Sequence, residues 1–78
     1  MRDLIEYIAR SLVDDPTQVE VDERRYGSTT NVLLRVAKED MGRVIGRSGR
    51  VANAMRTLLR VSAARSNKRV KLDIVEPE

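Results

Sequence analysis

Apolar residues along this chain change from helical spacing to alternation and back again, and that succession narrows its possible folds more than any other feature of the sequence. Leu4, Ile5, Ile8 and Leu12 recur at helical spacing, so a helix is predicted over residues 2–13, with Asp3 and Glu6 near its positive N-terminal end. Asp14-Asp15-Pro16 ends it, because the residue before a proline is driven out of helical geometry. Val19 and Val21 then alternate with Glu20 and Asp22, and beyond the turn-like Tyr26-Gly27-Ser28 a second alternation carries Val32, Leu34 and Val36. These two runs read as a hairpin with one face in water. Asp40 is expected to cap a short helix over residues 41–45, which Gly46-Arg47-Ser48-Gly49 separates from a longer helix over about residues 50–66. On that longer helix Val51, Met55, Leu58 and Leu59 share the packing side, and Asn53, Arg56 and Arg60 form a different stripe. Val70, Leu72 and Ile74 alternate in a last strand, after which the tail 76–78 is expected to fray. The order α-β-β-α-α-β predicts an α+β fold in one domain over residues 1–78, a three-stranded sheet covered on one face by three helices.

A chain of 78 residues buries only roughly 60% of the surface it exposes when unfolded, so the core is expected to be thin. With 41% hydrophobic and 35% charged residues and no long polar tract, it still has the composition of a folded domain. Cysteine and histidine are both absent. Disulfides and thiolate metal sites are thereby excluded, together with the commonest general base and the commonest transition-metal ligand. The carboxylates show no catalytic or metal-binding spacing, so no enzyme, no metal and no cofactor are expected. No apolar run approaches the roughly 20 residues that cross a bilayer, and Met1-Arg2-Asp3 does not begin a signal peptide. A cytoplasmic protein without membrane contact is the expectation.

Charge is distributed unevenly. Residues 43–72 hold nine Lys/Arg and no acid, whereas residues 1–42 hold six basic and nine acidic side chains. The basic half suits a polyanion. Within it, Gly46-Arg47-Ser48-Gly49 lies between two helical stretches. Glycines there let the backbone turn sharply and be approached closely, the first N–H groups of the following helix lack intrahelical partners, and Arg47 adds a forked donor, with Arg50 beside it. A Gly-x-x-Gly alone is weak, and a plain turn between helices would also use glycine. The Walker and dinucleotide patterns are absent, and Gly42-x-x-x-Gly46 encloses Arg43 without an apolar span around it, which excludes a membrane dimer motif. Tyr7 and Tyr26 are the only aromatics, too few for the stacking platforms of RNA-recognition sheets or oligonucleotide-binding barrels. A groove of aliphatic residues fits better, with Val44, Ile45, Val51 and Ala52 as its candidates and core packing the expected role of at least two of them. Val61, off the apolar stripe of the long helix, is either a stray surface residue or a partner contact.

Val44-Ile45-Gly46-Arg47-Ser48-Gly49-Arg50 resembles the signature of K-homology (KH) domains, and the element order resembles their type II arrangement. The stretch Arg50-Val51-Ala52-Asn53-Ala54-Met55-Arg56-Thr57-Leu58-Leu59 further resembles the small bacterial single-KH branch, the KhpA type, and the similarity spans essentially the whole chain. The family often has an isoleucine three places after the second glycine, where this chain has Ala52, so Ala52 is given no strong part in base selection. The resemblance implies a cleft for about four nucleotides of single-stranded RNA, with modest sequence preference. It assigns Gly46, Arg47, Ser48 and Gly49 to the phosphate backbone, and Ile45 and residues of the second strand to the bases. Arg50, Arg56 and Arg60 join the candidate RNA-binding residues on electrostatic grounds alone. The resemblance also implies a post-transcriptional regulator or RNA chaperone, self-association as a homodimer, and a heterodimer with a larger KH-containing bacterial protein of the KhpB or Jag type. Two other readings stay open: a module that docks an acidic or ribosome-associated protein, and binding of single-stranded DNA.

Overall fold

The computed structural model describes residues 2–76. Six main elements follow one another: α1 (Arg2–Leu12), β1 (Glu20–Tyr26), β2 (Thr29–Arg35), α2 (Met41–Ile45), α3 (Arg50–Ala64) and β3 (Arg69–Val75). Single 3-10 turns at Pro16–Gln18, Lys38–Asp40 and Arg47–Gly49 join them. The predicted order and fold class are those observed, and the expected fray of the tail falls, beyond Glu76, outside the described residues.

Asp15 opens the Pro16 turn by accepting the Thr17 N–H with its side chain, so the proline ends α1 and starts the descent into β1. Gly27, at φ +60°, takes the first central position of the two-residue turn that pairs Tyr26 with Thr29, a position where glycine suits the twist of a hairpin. β1 and β2 are antiparallel; β3 returns through both later helices to lie parallel to β2, giving the sheet order β1-β2-β3. β2 is therefore central, and β1 and β3 each keep one free edge.

One face of the sheet carries Val21, Thr30, Val32, Leu34 and Leu72 inward against Ile5 and Ala9 of α1, Val44 of α2 and Ala52, Met55, Leu59 and Ala63 of α3. The buried stripe of α3 differs from the one its hydrophobicity suggested. Leu58 is 48% exposed and Ala52 and Ala63 are buried instead. A stripe at 52, 55, 59 and 63 follows the 3.6-residue period, and its two alanines let the helix lie close on the sheet; Leu58, about 100° round from Leu59, turns outward. On α1 likewise, Leu4 and Leu12 stand at the border of the core rather than within it.

Asp40 departs from its expected role. Its backbone occupies the position before α2, but its side chain makes no capping bond there. The carboxylate is buried and turned toward the end of α1, where it accepts the N–H groups of Asp14 and Asp15 at 3.1 and 3.2 Å. Those two donors leave the helix with no carbonyl in reach, and a buried carboxylate satisfies both. Arg43 pairs with Asp14 at 2.9 Å and approaches Asp40 at 3.5 Å, closing the junction between α1 and α2.

Candidate nucleic-acid interface

The Gly46-Arg47-Ser48-Gly49 segment turns the chain between α2 and α3, and three of its four residues have positive φ: Gly46 at 77°, Ser48 at 56° and Gly49 at 75°. Gly46 closes α2 by donating to the Gly42 carbonyl at 2.9 Å. Its ψ of 174° puts it in a region essentially reserved for glycine, and a Cβ there would stand 2.5 Å from Val51 Cγ2 and 2.9 Å from the Val51 nitrogen. Gly49 is different: its left-handed backbone faces open space, with only the Asn53 side chain at 3.8 Å from an added Cβ. A helical residue followed by a left-handed one turns successive N–H groups toward a common point, an arrangement that holds anions. Immediately beyond it α3 begins with no side chain capping its N-terminus. The Gly49 and Arg50 N–H groups turn back to the Gly46 and Arg47 carbonyls in a single 3-10 turn, and the positive end of a 15-residue helix opens at this loop.

The side chains around the loop fall into two groups. Arg47, Ser48 and Arg50 are exposed, and Ile45, at the end of α2, is 37% exposed beside them. Val44 and Ala52 are buried in the core, and Val51 packs partly against it. Of the four aliphatic candidates for a groove wall, Ile45 is the one left facing outward.

A second feature runs down the side of α3. β3 and α3 lie antiparallel, so Arg56 and Arg60 face residues 70–73 of the edge strand across a groove floored by Leu59 and Leu72. The nearest of these arginines, Arg56, is about 10 Å along the helix from Gly49. Arg56 is half-buried, and its guanidinium donates to the Leu72 carbonyl at 3.2 Å and to Asn53 Oδ1 at 3.4 Å, so it ties helix to strand as well as charging the groove. Arg60 is exposed and bonded to nothing among the described residues. The strand bordering this groove is β3; β2, expected to shape the base side, is central, with its inward residues buried under the helices and no edge free.

Ion pairing separates the basic residues further. Among the described residues every salt bridge uses Arg2, Arg10, Arg25 or Arg43. Arg43, counted with the basic half in the sequence, is neutralised by Asp14 and Asp40. Arg47, Arg50, Arg56, Arg60, Lys68, Arg69 and Lys71 have no acidic partner in that set. Lys71 joins Arg56 and Arg60 at the groove, which sequence reasoning did not single out although it lay in the acid-free run; Asp73 is the one acid there. Among the described residues no group of His, Cys, Asp and Glu gathers as metal ligands, and no helix is long and apolar enough to cross a membrane.

Comparison with known proteins agrees with this geometry. The sequence profile described as "KhpA/KhpB, KH domain" matches residues 2–74. The RNA-binding protein KhpA of Clostridium acetobutylicum is 47% identical over 75 residues, covering 96% of this chain and 100% of that protein. RNA-binding protein KhpA of Treponema pallidum is 49% identical over 74 residues, covering 95% of this chain and 92% of its own length. The protein of the same name from Listeria monocytogenes is 41% identical over 76 residues, covering 97% and 100%.

Proposed function

We propose, proceeding from the fact that the chain belongs to the KhpA/KhpB KH-domain family, that it acts as one KH unit binding short stretches of single-stranded RNA. The single observation that carries this reading is the loop at residues 46–49, where left-handed backbone, an uncapped helix N-terminus and unpaired arginines meet at an exposed point. KH loops of this kind clamp the backbone of about four nucleotides. In this reading Gly46, Arg47, Ser48 and Gly49 hold phosphate, Arg50 adds charge, and the strand continues along α3 past Arg56 and Arg60. Ile45 offers the bases an apolar contact. With only Tyr7 and Tyr26 as aromatics and neither beside the groove, bases are not stacked there and sequence preference is modest.

One four-nucleotide cleft makes few contacts, and joining two clefts raises avidity without any new contact within either. Pairing with a second copy, or with a larger KH-containing protein of the KhpB type, is therefore part of the proposal. Leu58 and Val61, 48% and 54% exposed on the outer face of α3, support a covered surface there. A cytoplasmic role after transcription, as regulator or RNA chaperone, follows from the same reading.

The test is a titration of short random single-stranded RNA against wild type and Arg47→Asp/Ser48→Asp. Both side chains are exposed, and aspartate tolerates left-handed backbone, so circular dichroism should be unchanged. Affinity is expected to fall more than tenfold. Equal binding would move the contact off the loop, and no binding by wild type would favour a protein-docking role. Matched DNA strands decide whether the 2′-hydroxyl matters.

A further inference from the structure

The groove beside α3 does not end at Arg60. A second hollow continues it along the same helix and strand, sharing Arg60, Val70 and Lys71 with the first and adding Thr29, Ala63, Lys68 and Arg69. How the chain leaves α3 explains where these charges come from. Asn67, at φ 57°, takes the left-handed position that ends a helix, with the Asn67 N–H donating to Ala64 and the Lys68 N–H reaching back to the Ala63 carbonyl at 3.0 Å. The chain reverses at once, and the Arg69 N–H bonds the Ser28 carbonyl at 2.9 Å to enter β3. Lys68 and Arg69 are thus fixed by their backbones at the end of the groove remote from the glycine loop, with their side chains exposed and without acidic partners among the described residues. The acid of the groove, Asp73, lines the hollow near the loop and is absent from the far one.

From this arrangement we infer that the far hollow is an extension site for the nucleic-acid backbone, in which Lys68 and Arg69, with Arg60, bind phosphates of nucleotides beyond the four held at the loop. The inference rests on the RNA-binding reading. Its occupant is set by charge and length. The hollow is lined by four cations without acidic partners among the described residues, one hydroxyl and two small apolar residues, with no aromatic to stack a base, so it takes up sugar-phosphate backbone irrespective of sequence. α3 is about 22 Å long, which lets one strand run from the uncapped N-terminus to the Asn67 turn without leaving basic surface.

The experiment compares wild type with Lys68→Gln/Arg69→Gln on oligouridine strands of four and eight nucleotides, the shorter measured by competition at up to millimolar concentration. Neutral substitutions limit long-range effects, and circular dichroism checks the fold. A four-nucleotide cleft alone gains only about fivefold on the eight-nucleotide strand, from the extra registers. Wild type is expected to gain several times more than that, and the variant to fall back to the fivefold while keeping its four-nucleotide affinity within about twofold. The salt slope on the longer strand should also drop by about 1.4 in the variant, as two fewer phosphates are neutralised. Equal length gains in both proteins would overturn the extension site. So would loss of four-nucleotide binding in the variant alone, since Lys68 and Arg69 would then belong to the primary cleft. Failure of wild type to bind either strand would instead strike the RNA reading itself.

Discussion

The two glycines of the loop look equivalent in the sequence, yet their surroundings set them apart. At Gly46 both backbone and space demand glycine, because a Cβ would run into Val51, whose main chain starts α3. At Gly49 only the left-handed backbone matters, and Asn53 could yield at 3.8 Å. Gly49→Ala is therefore expected to cost about 1 kcal/mol, the ordinary penalty for a left-handed alanine. Gly46→Ala should cost about 3 kcal/mol or more, combining strain with a clash against backbone. Urea denaturation of both variants measures the difference; equal costs would mean that the Gly46–Val51 approach is not rigid. Ser48 is legible as a loop residue from its neighbours, but its left-handed φ of 56° is not, because serine has no preference for that region.

Among the elements, α3 joins loop, core and groove, and its rotation determines what each residue does. Leu58 and Leu59 are adjacent and chemically alike, so hydrophobicity alone assigned both to the packing side. In the fold Leu59 is fully buried and Leu58 is 48% exposed. Leu59→Ala is expected to lower stability by about 3 kcal/mol, the loss of a core leucine with its cavity. Leu58→Ala should lower it by less than about 1 kcal/mol. Thermal or urea unfolding of the isolated chain checks both, and similar losses would contradict this rotation of α3. The same rotation turns Arg56 and Arg60 toward β3, where an arginine stripe on a bare helix becomes one wall of a groove.

At the scale of the whole molecule, the helical layer is held together partly by polar contacts. α2 has only five residues, too short to be stable through its own hydrogen bonds, and it carries the loop at its end. The buried Asp40 carboxylate binds the turn after α1 to the start of α2, with Arg43 closing the contact from outside. Asp40→Ala leaves the N–H groups of Asp14 and Asp15 without an acceptor. It is expected to destabilise the protein by about 2 to 3 kcal/mol, measured by urea denaturation. Amide exchange should speed up at Asp14 and Asp15 first, because the opening begins at the junction. A loss below about 0.5 kcal/mol would show that the junction is held by apolar packing alone.

Much of this protein was legible in its sequence because local chemistry decides it. The period of the apolar residues marks helix and strand, Pro16 and Gly27 mark turns, and a glycine pair before a helix marks the bend between α2 and α3. The acid-free run likewise locates the basic half. Tertiary structure alone decided what depends on residues far apart in the chain. Only the parallel return of β3 beside β2 brings residues 68–73 alongside α3, making one groove of charges that the sequence scatters. Only the meeting of α1 and α2 turns Asp40 from a helix cap into a buried acceptor and removes Arg43 from the free cations. Periodicity tells each element which face is apolar, but the partner a polar group finds there depends on which other elements are packed against it.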